Sequence, residues 1–600
     1  MPSTRTSLRT AAPHIVHVAR ECAEIAAAGG VGDVVLQLAL ECARQGFHST
    51  IFLPHYGRYS AERQRALAQR ISAMLPWQRC EASYLDPVAL DIPMAYAARP
   101  YRTEPAAIET IALSGPVRLQ IAQVVADRFA GKQRPYAYTG AEARAILEGP
   151  RGDGLVCGAE APPPSFHAEE GTGHFDHFAM NLLLQKAALA WTARQHRSAV
   201  VHCHDAHAAM LPMMAKLAAP PAPCANRRFV VTAHNCGISY RQRCGDLEFV
   251  AAASGLPLAA VSQCVIEGEF DPFGAAALYA DHFNTVSDSY AWEVQGAHLP
   301  TSGADSELHG FSEFLARNAI PLEGIANGVS AAIKGPEAIR KQLGMRVSDA
   351  GDFGWKPAFR KRFARRISKR EIDSAWRVRS ADRHGSLRAL CDASSLFTCV
   401  GRWSGQKGVD IAVRAAQEVL GTDAHACLCI LGEGNQPFVF SGLLRLVAEF
   451  PGRVVVVKGF SDALAAQIYA AGDFLLAPSR FEPCGLIDMI AQLNGNLPIV
   501  NQVGGLAKVI DGVTGFGYFA TTDRENLRGL VGGMRRALSL AAHPDAVRRM
   551  QLAADREVRS KYNWTSVLER YARLYGMRPP AFRRALKAAR PRACLDVASV

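Results

Sequence analysis

The chain has 600 residues, 49% of them hydrophobic and 20% charged, with a formal net charge of +12. That length exceeds what one hydrophobic core serves, so at least two domains are expected, and the composition excludes a chain dominated by disorder. Fifteen cysteines lack zinc-finger or CxxC spacing, which points to a reduced cytoplasmic protein rather than a disulfide scaffold.

In chain order, Met1–Thr10 carries two arginines but no apolar core, so no secretory signal is read there. His14–Ala19 reads as a strand, Gly29-Gly30 as a loop, Asp33–Gln45 as a helix and Ser49–Leu53 as a strand. This order opens a parallel α/β sheet. Tyr59–His174 gives no clear periodicity. Phe175–Trp191 reads as a helix. Ala199–His202, Phe229–Thr232 and His282–Val286 read as buried strands whose carboxyl ends open into polar loops.

Lys356–His384 holds eleven Lys and Arg against three acids, so much of the positive excess sits in one short segment. A solvated linker or helix face is the plain reading; contact with an anionic partner is the alternative. No nucleic-acid motif accompanies the charge, and no apolar run reaches membrane-spanning length. A second α/β cycle follows, with strands at Leu396–Gly401, Ala426–Leu431, Val454–Val457, Phe474–Ala477 and Leu497–Val500. Helices are expected between them at Val409–Leu420 and Leu464–Ala471. The expected domains are 1–330, a basic insert at 331–390, a second Rossmann-like domain at 391–560, a returning helix at 561–576 and a basic tail at 577–600.

Three segments carry chemistry. Pro478–Leu486 (Pro-Ser-Arg-Phe-Glu-Pro-Cys-Gly-Leu) directly follows a strand. Ligands of open α/β sheets bind at such strand ends. There Glu482 can accept hydrogen bonds from hydroxyls, and Gly485 permits close backbone approach. Val400–Asp410 places Arg402 and Lys407 between a strand and a helix. That arrangement suits a diphosphate: a guanidinium fork, an ammonium point charge and a helix N-terminus. His202-Cys203-His204-Asp205-Ala206-His207 lies at another strand end and suits either a metal or a hydrogen-bonded sugar. No Asp-x-Asp metal handle occurs in the chain, which favours the latter.

These segments resemble, in order, motifs of the bacterial glycogen synthases and starch synthases. Also similar are Glu21 with Gly29-Gly30, Thr232-Ala233-His234-Asn235, Asn284–Ala291, Gly324–Gly328, Gly504-Gly505-Leu506 and Tyr562–Tyr575. The resemblance implies a GT-B fold, two Rossmann-like doubly wound domains facing a central cleft. It implies retaining transfer of glucose from a nucleotide sugar, ADP-glucose or UDP-glucose, to an α-1,4-glucan. No cofactor and no metal are implied. Carried over by motif, Arg402, Lys407, Glu482 and His207 are the catalytic set. Glu21, Gly29, Gly30, Asp33, His234, Asn235, Cys484, Gly485, Leu486, Gly504, Gly505 and Leu506 bind the donor.

The chain departs from the family at named positions. The family's Lys-Thr-Gly-Gly reads Ala27-Ala28-Gly29-Gly30, the Trp of His-Asp-Trp-His is Ala206, and Ala-Asp after Gly-Gly-Leu reads Ala507-Lys508. These changes leave two alternatives open: a GT-B enzyme with another donor or a non-glucan acceptor of exopolysaccharide type, and a catalytically silent sugar-binding relative.

Overall fold

A computed structural model describes residues 14–74, 81–94, 103–114, 118–148, 168–194, 199–217, 227–296, 308, 310–342, 353–369, 374–378, 380–434 and 436–577. The amino-terminal ten residues, the 578–600 tail and 370–373 within the basic segment lie outside this set. The chain divides into two compact units. The first comprises Met1–Asn284, Glu313–Pro321 and Leu568–Val600; the second comprises Thr285–Ser312 and Leu322–Val567.

The strands of the first unit begin with β1 (His14–Val18), β2 (His48–Pro54), β3 (Glu81–Pro93), β4 (Thr103–Ser114) and β5 (Arg118–Val125). There follow β6 (Ala199–His204), β7 (Arg228–Ala233), a small hairpin of β8 (Val265–Ile266) and β9 (Glu269–Phe270), and β10 (His282–Thr285). They run in the order β10-β7-β6-β1-β2-β5-β4-β3. The β1, β2, β5, β6 and β7 pairings are parallel, whereas β4 and β3 add antiparallel strands. β1 and β6 are buried along their whole length. Continuous burial is the expected state of central parallel strands covered by helices on both faces. The helix Gly30–Arg44 starts three residues earlier than the sequence suggests. Its first turn includes Gly32, where a Cβ would stand 3.0 Å from the Ala23 nitrogen.

The second unit holds β11 (Glu323–Gly324), β12 (Arg383–Gly385), β13 (Ser395–Val400), β14 (Ala426–Gly432), β15 (Val454–Lys458), β16 (Phe474–Ala477), β17 (Leu497–Asn501) and β18 (Phe516–Tyr518). A sheet of order β12-β15-β14-β13-β16-β17-β18 is parallel apart from β12. Its two faces bury separate clusters. One gathers Phe397, Leu428, Ile430 and Phe474 with the helix Val409–Thr422. The other gathers Cys427, Cys429, Val455 and Val457 with Phe359, Phe363 and Ile367.

Those phenylalanines belong to the basic segment. Its helix Lys356–Ile367 is therefore not a simple solvated face: Lys356, Phe359, Arg360, Phe363, Ala364 and Ile367 are buried. Lys356 donates to the carbonyls of Ala470, Gly472 and Asn494, each at 2.8 Å. Burial in that cage lowers its pKa to about 7. The described cysteines are free thiols. No helix among the described residues is long and apolar enough to cross a membrane.

Candidate active site

The carboxyl ends of β13, β16 and β17 assemble the richest polar constellation of the second unit. After β13, a turn at Gly405–Lys407 leads into the helix Val409–Thr422 through Gly408. Gly408 has φ +63°, and a Cβ there would lie 2.1 Å from the Pro478 carbonyl oxygen. Only glycine combines that backbone with that approach. The two loops are thereby held together, and Lys407 Nζ donates to Glu482 Oε2 at 2.6 Å. Ser479 Oγ donates to the same oxygen at 3.1 Å. Glu482 is buried, while the Lys407 side chain keeps about a fifth of its surface exposed.

Arg480 fastens this arrangement from outside. Its guanidinium donates to both carboxylate oxygens of Asp410 at 2.9 and 2.7 Å and to Asp523 at 2.7 and 2.8 Å. It also donates to the Gly405 carbonyl at 2.7 Å. Gln406 Nε2 donates to the Phe481 carbonyl, and the Arg480 amide returns a bond to Gln406. Arg402 stands exposed on the same loop.

The turn Gly504-Gly505-Leu506 closes against this site. The Gly505 amide donates to the Glu482 carbonyl at 2.7 Å. Cβ atoms at Gly504 and Gly505 would come within 2.1 Å of the Glu482 oxygen and 2.0 Å of the Cys484 oxygen. Lys508 then locks the two segments. Its Nζ donates to the carbonyls of Cys484, Gly485 and Gly505 and to the Asp488 carboxylate at 2.7–2.9 Å. Asp488 is fully buried, and burial raises its pKa to about 6 against the pull of Lys508. Burial also pushes the Cys484 thiol up. Gly485, at φ +73°, opens the helix Leu486–Leu493.

In the first unit, Glu21 follows β1 and is buried. Its Oε2 accepts the amides of Ala28 and Gly29, both at 2.8 Å, and its Oε1 accepts the Tyr136 hydroxyl at 3.0 Å. Burial raises its pKa despite these bonds. Glu21 therefore shapes the loop before the helix Gly30–Arg44. Ala27, Ala28, Gly29 and Gly30 are exposed, and Asp33 is half-buried in that helix's first turn.

At the end of β6, Asp205 adopts φ +63°, an uncommon backbone for a non-glycine residue. Its carboxylate accepts the His234 amide at 2.9 Å, and burial raises its pKa to about 7. His207 is buried and stacks on Tyr136, with centroids 4.9 Å apart. Burial, aided by Arg20, holds its pKa well below the usual histidine range. His207 is thus a neutral imidazole. His234, lowered by burial to about 3, is neutral as well, and Asn235 beside it is buried.

His17, His202 and His204 share one sheet face, with ring nitrogens within 4.8 Å of one another, a geometry that can hold a metal ion. Their nitrogens are largely engaged by protein. His202 meets Tyr575 Oη at 2.9 Å and Thr232 Oγ1 at 2.8 Å, and His204 bridges His17 and His234 at 3.3 and 3.1 Å.

The structure therefore brings Lys407, Glu482, Cys484, Gly485, Leu486, Gly504, Gly505 and Leu506 together in one unit. It brings Glu21, Gly29, Gly30, His207, His234 and Asn235 together in the other, with Asp33 in the adjoining helix. Sequence reading missed Ser479, Arg480 and Lys508, although each lies within or beside a quoted motif. It also missed Tyr136, which lies in the stretch without periodicity.

Two protein families match successive stretches of the chain. Residues 14–128 and 161–310 match the starch synthase catalytic domain, and residues 394–539 match glycosyl transferases group 1. A glycogen synthase of Pseudomonas syringae pv. syringae is 30% identical over 441 residues, covering 70% of this chain and 79% of the relative. One from Xanthomonas campestris pv. campestris is 30% identical over 380 residues, 62% of this chain and 69% of the relative. Among solved structures, the catalytic domain of starch synthase IV from Arabidopsis thaliana, bound to ADP and acarbose, aligns with a TM-score of 0.67 at 20% identity. That alignment covers 96% of this chain and all of the other. The likeness establishes the GT-B fold.

Proposed function

Since the chain belongs to the glycogen and starch synthase family of glycosyltransferases, we propose that it transfers glucose from ADP-glucose to an α-1,4-glucan with retention. The observation that carries this reading is the Lys407–Glu482 pair at the ends of β13 and β16. A nucleotide sugar needs a cation for its departing diphosphate and a carboxylate for its hydroxyls. Here both stand in one buried junction. Lys407 and Arg402 stabilise charge as it develops on the leaving diphosphate, and the N-terminus of the helix Val409–Thr422 adds its partial charge. Glu482 accepts hydroxyls of the donor sugar, with Ser479 orienting it. The turn Gly504–Leu506 and the segment Cys484–Leu486 line the donor. On the first unit, neutral His207 and His234, with Asn235, offer hydrogen bonds without adding charge. Gly29, Gly30 and Asp33 take the donor side of their loop, and Glu21 positions it. The ADP and acarbose held by the Arabidopsis homologue support nucleotide and glucan binding here.

Lys407→Ala and Glu482→Ala are expected to cut turnover roughly 100- to 1,000-fold, the cost of removing one preorganised electrostatic group. Both variants should still fold and unfold cooperatively, with a midpoint lowered by the loss of one partner of the buried pair. Near-normal turnover in both variants would remove the assignment.

Ala27 favours a second reading, a GT-B transferase with another nucleotide-sugar donor. A lysine on that exposed loop would supply a further cation to a diphosphate. We expect Ala27→Lys to keep or raise turnover with ADP-glucose. A folded Ala27→Lys protein without activity would show a loop rebuilt for a different donor.

A further inference from the structure

Beside the junction just described, the second unit holds an open basin of about 470 Å³ lined by Asp288, Ser289, Trp292, Glu293, Gln502 and Ala507. Its volume falls within the roughly 300–1,000 Å³ of small-molecule sites. Four of the six residues lie on the short helix Asp288–Val294 or at its start. The other two flank the turn Gly504–Leu506.

Two bonds fix the basin to the transfer site. Glu293 Oε1 accepts the Gly504 amide at 2.7 Å, so one wall of the basin holds the glycine turn. Ser287 Oγ caps the helix by accepting the Tyr290 amide, and it donates to the Pro483 carbonyl at 2.7 Å. The helix is therefore tied to the loop that carries Glu482. A ligand in the basin would lie against the turn that packs on Glu482.

The lining selects the ligand. Trp292 is 48% exposed, which leaves indole surface in the basin available for stacking. Around it stand two carboxylates, a hydroxyl and an amide. The carboxylates repel phosphate and favour a ligand that donates hydrogen bonds. An uncharged ring with C–H groups on its faces and hydroxyls on its rim meets both demands. We propose that this basin is an acceptor subsite that binds a pyranose ring of the glucan, with the sugar face on Trp292 and its hydroxyls donating to Asp288 and Glu293. This inference rests on the transferase reading above, whose acceptor it places.

The test follows tryptophan emission and transfer kinetics in parallel. Maltoheptaose should quench the emission of the wild-type protein, and Trp292→Ala should abolish that quench. In transfer assays Trp292→Ala should raise the half-saturating maltoheptaose concentration about tenfold, in line with the loss of one stacking contact. The KM for ADP-glucose should stay unchanged, and Trp292→Phe should recover most of the loss. Trp292 is half in solvent, so its truncation leaves no cavity in the core. A Trp292→Ala enzyme with unchanged acceptor saturation would overturn the subsite while leaving the transferase reading intact. Quenching by ADP in place of maltoheptaose would overturn it too. A maltoheptaose quench lost in Trp292→Ala, in a wild-type protein that transfers no glucose, would uphold the sugar site and overturn the transferase reading.

Discussion

Lys508 shows how one substitution can be absorbed into a site. Where the family has an acid after Gly-Gly-Leu-Ala, this chain has a lysine. Its ammonium meets three carbonyls and the buried Asp488 carboxylate. The side chain is 10% exposed, so solvent screens the pair little. Removing it leaves the buried Asp488 carboxylate and three carbonyls without their shared donor. Lys508→Met should therefore destabilise the second unit by about 3 kcal/mol, read as a lower urea midpoint. An unchanged midpoint would mean that Asp488 takes up a proton at no cost, and that the lysine is incidental. Glu21 teaches a related lesson. As a motif residue it suggests ligand contact, yet one of its oxygens holds the Ala28–Gly29 loop and the other accepts the Tyr136 hydroxyl.

At the scale of elements, the strand-to-helix junctions place the chemistry. Gly408 lets the turn after β13 reach the loop after β16, and a side chain there would collide with Pro478. Gly408→Ala should separate Lys407 from Glu482 and cost well over tenfold in turnover. A crystal structure or an unfolding curve would show that the sheet persists. Full activity in that variant would mean that the two loops need not touch. The second unit was legible from sequence because β13 to β17 are short apolar runs, each broken by a polar loop. The first unit was legible only at its parallel strands. β3 and β4 are long antiparallel strands with mixed faces, and β3 is exposed over most of its length. Tyr136 lies beyond them in an irregular stretch, so its bond to Glu21 stayed hidden. Charge was misleading in the helix Lys356–Ile367. Its apolar positions Phe359, Phe363 and Ile367 follow a helical period, but the cations between them masked it.

Across the whole molecule, the first unit carries a concentration of buried titratable groups. Burial lowers His17, His174 and His234 to about 3 and drives His202, His204 and His207 well below the usual range. Below their unfolded pKa near 6.5 these histidines are protonated in the unfolded chain and neutral in the folded one. The unfolded state then binds more protons, so stability falls as pH drops below about 6.5. Asp205, raised to about 7, and Asp271, raised to about 6, act in the opposite sense, since their folded forms hold protons that the unfolded chain loses. Six histidines outweigh them. The thermal midpoint of the first unit should therefore decline between pH 6.5 and 5. A flat or rising midpoint across that window would show that the histidines are solvated.

The most direct test of the central claim is nucleotide release by the purified protein. ADP-glucose or UDP-glucose would be offered with and without glycogen, with Glu482→Ala in parallel. ADP release from ADP-glucose is expected to depend on glycogen and to be lost in the variant. A folded protein that releases nucleotide from neither donor, or whose release survives Glu482→Ala, would contradict the claim.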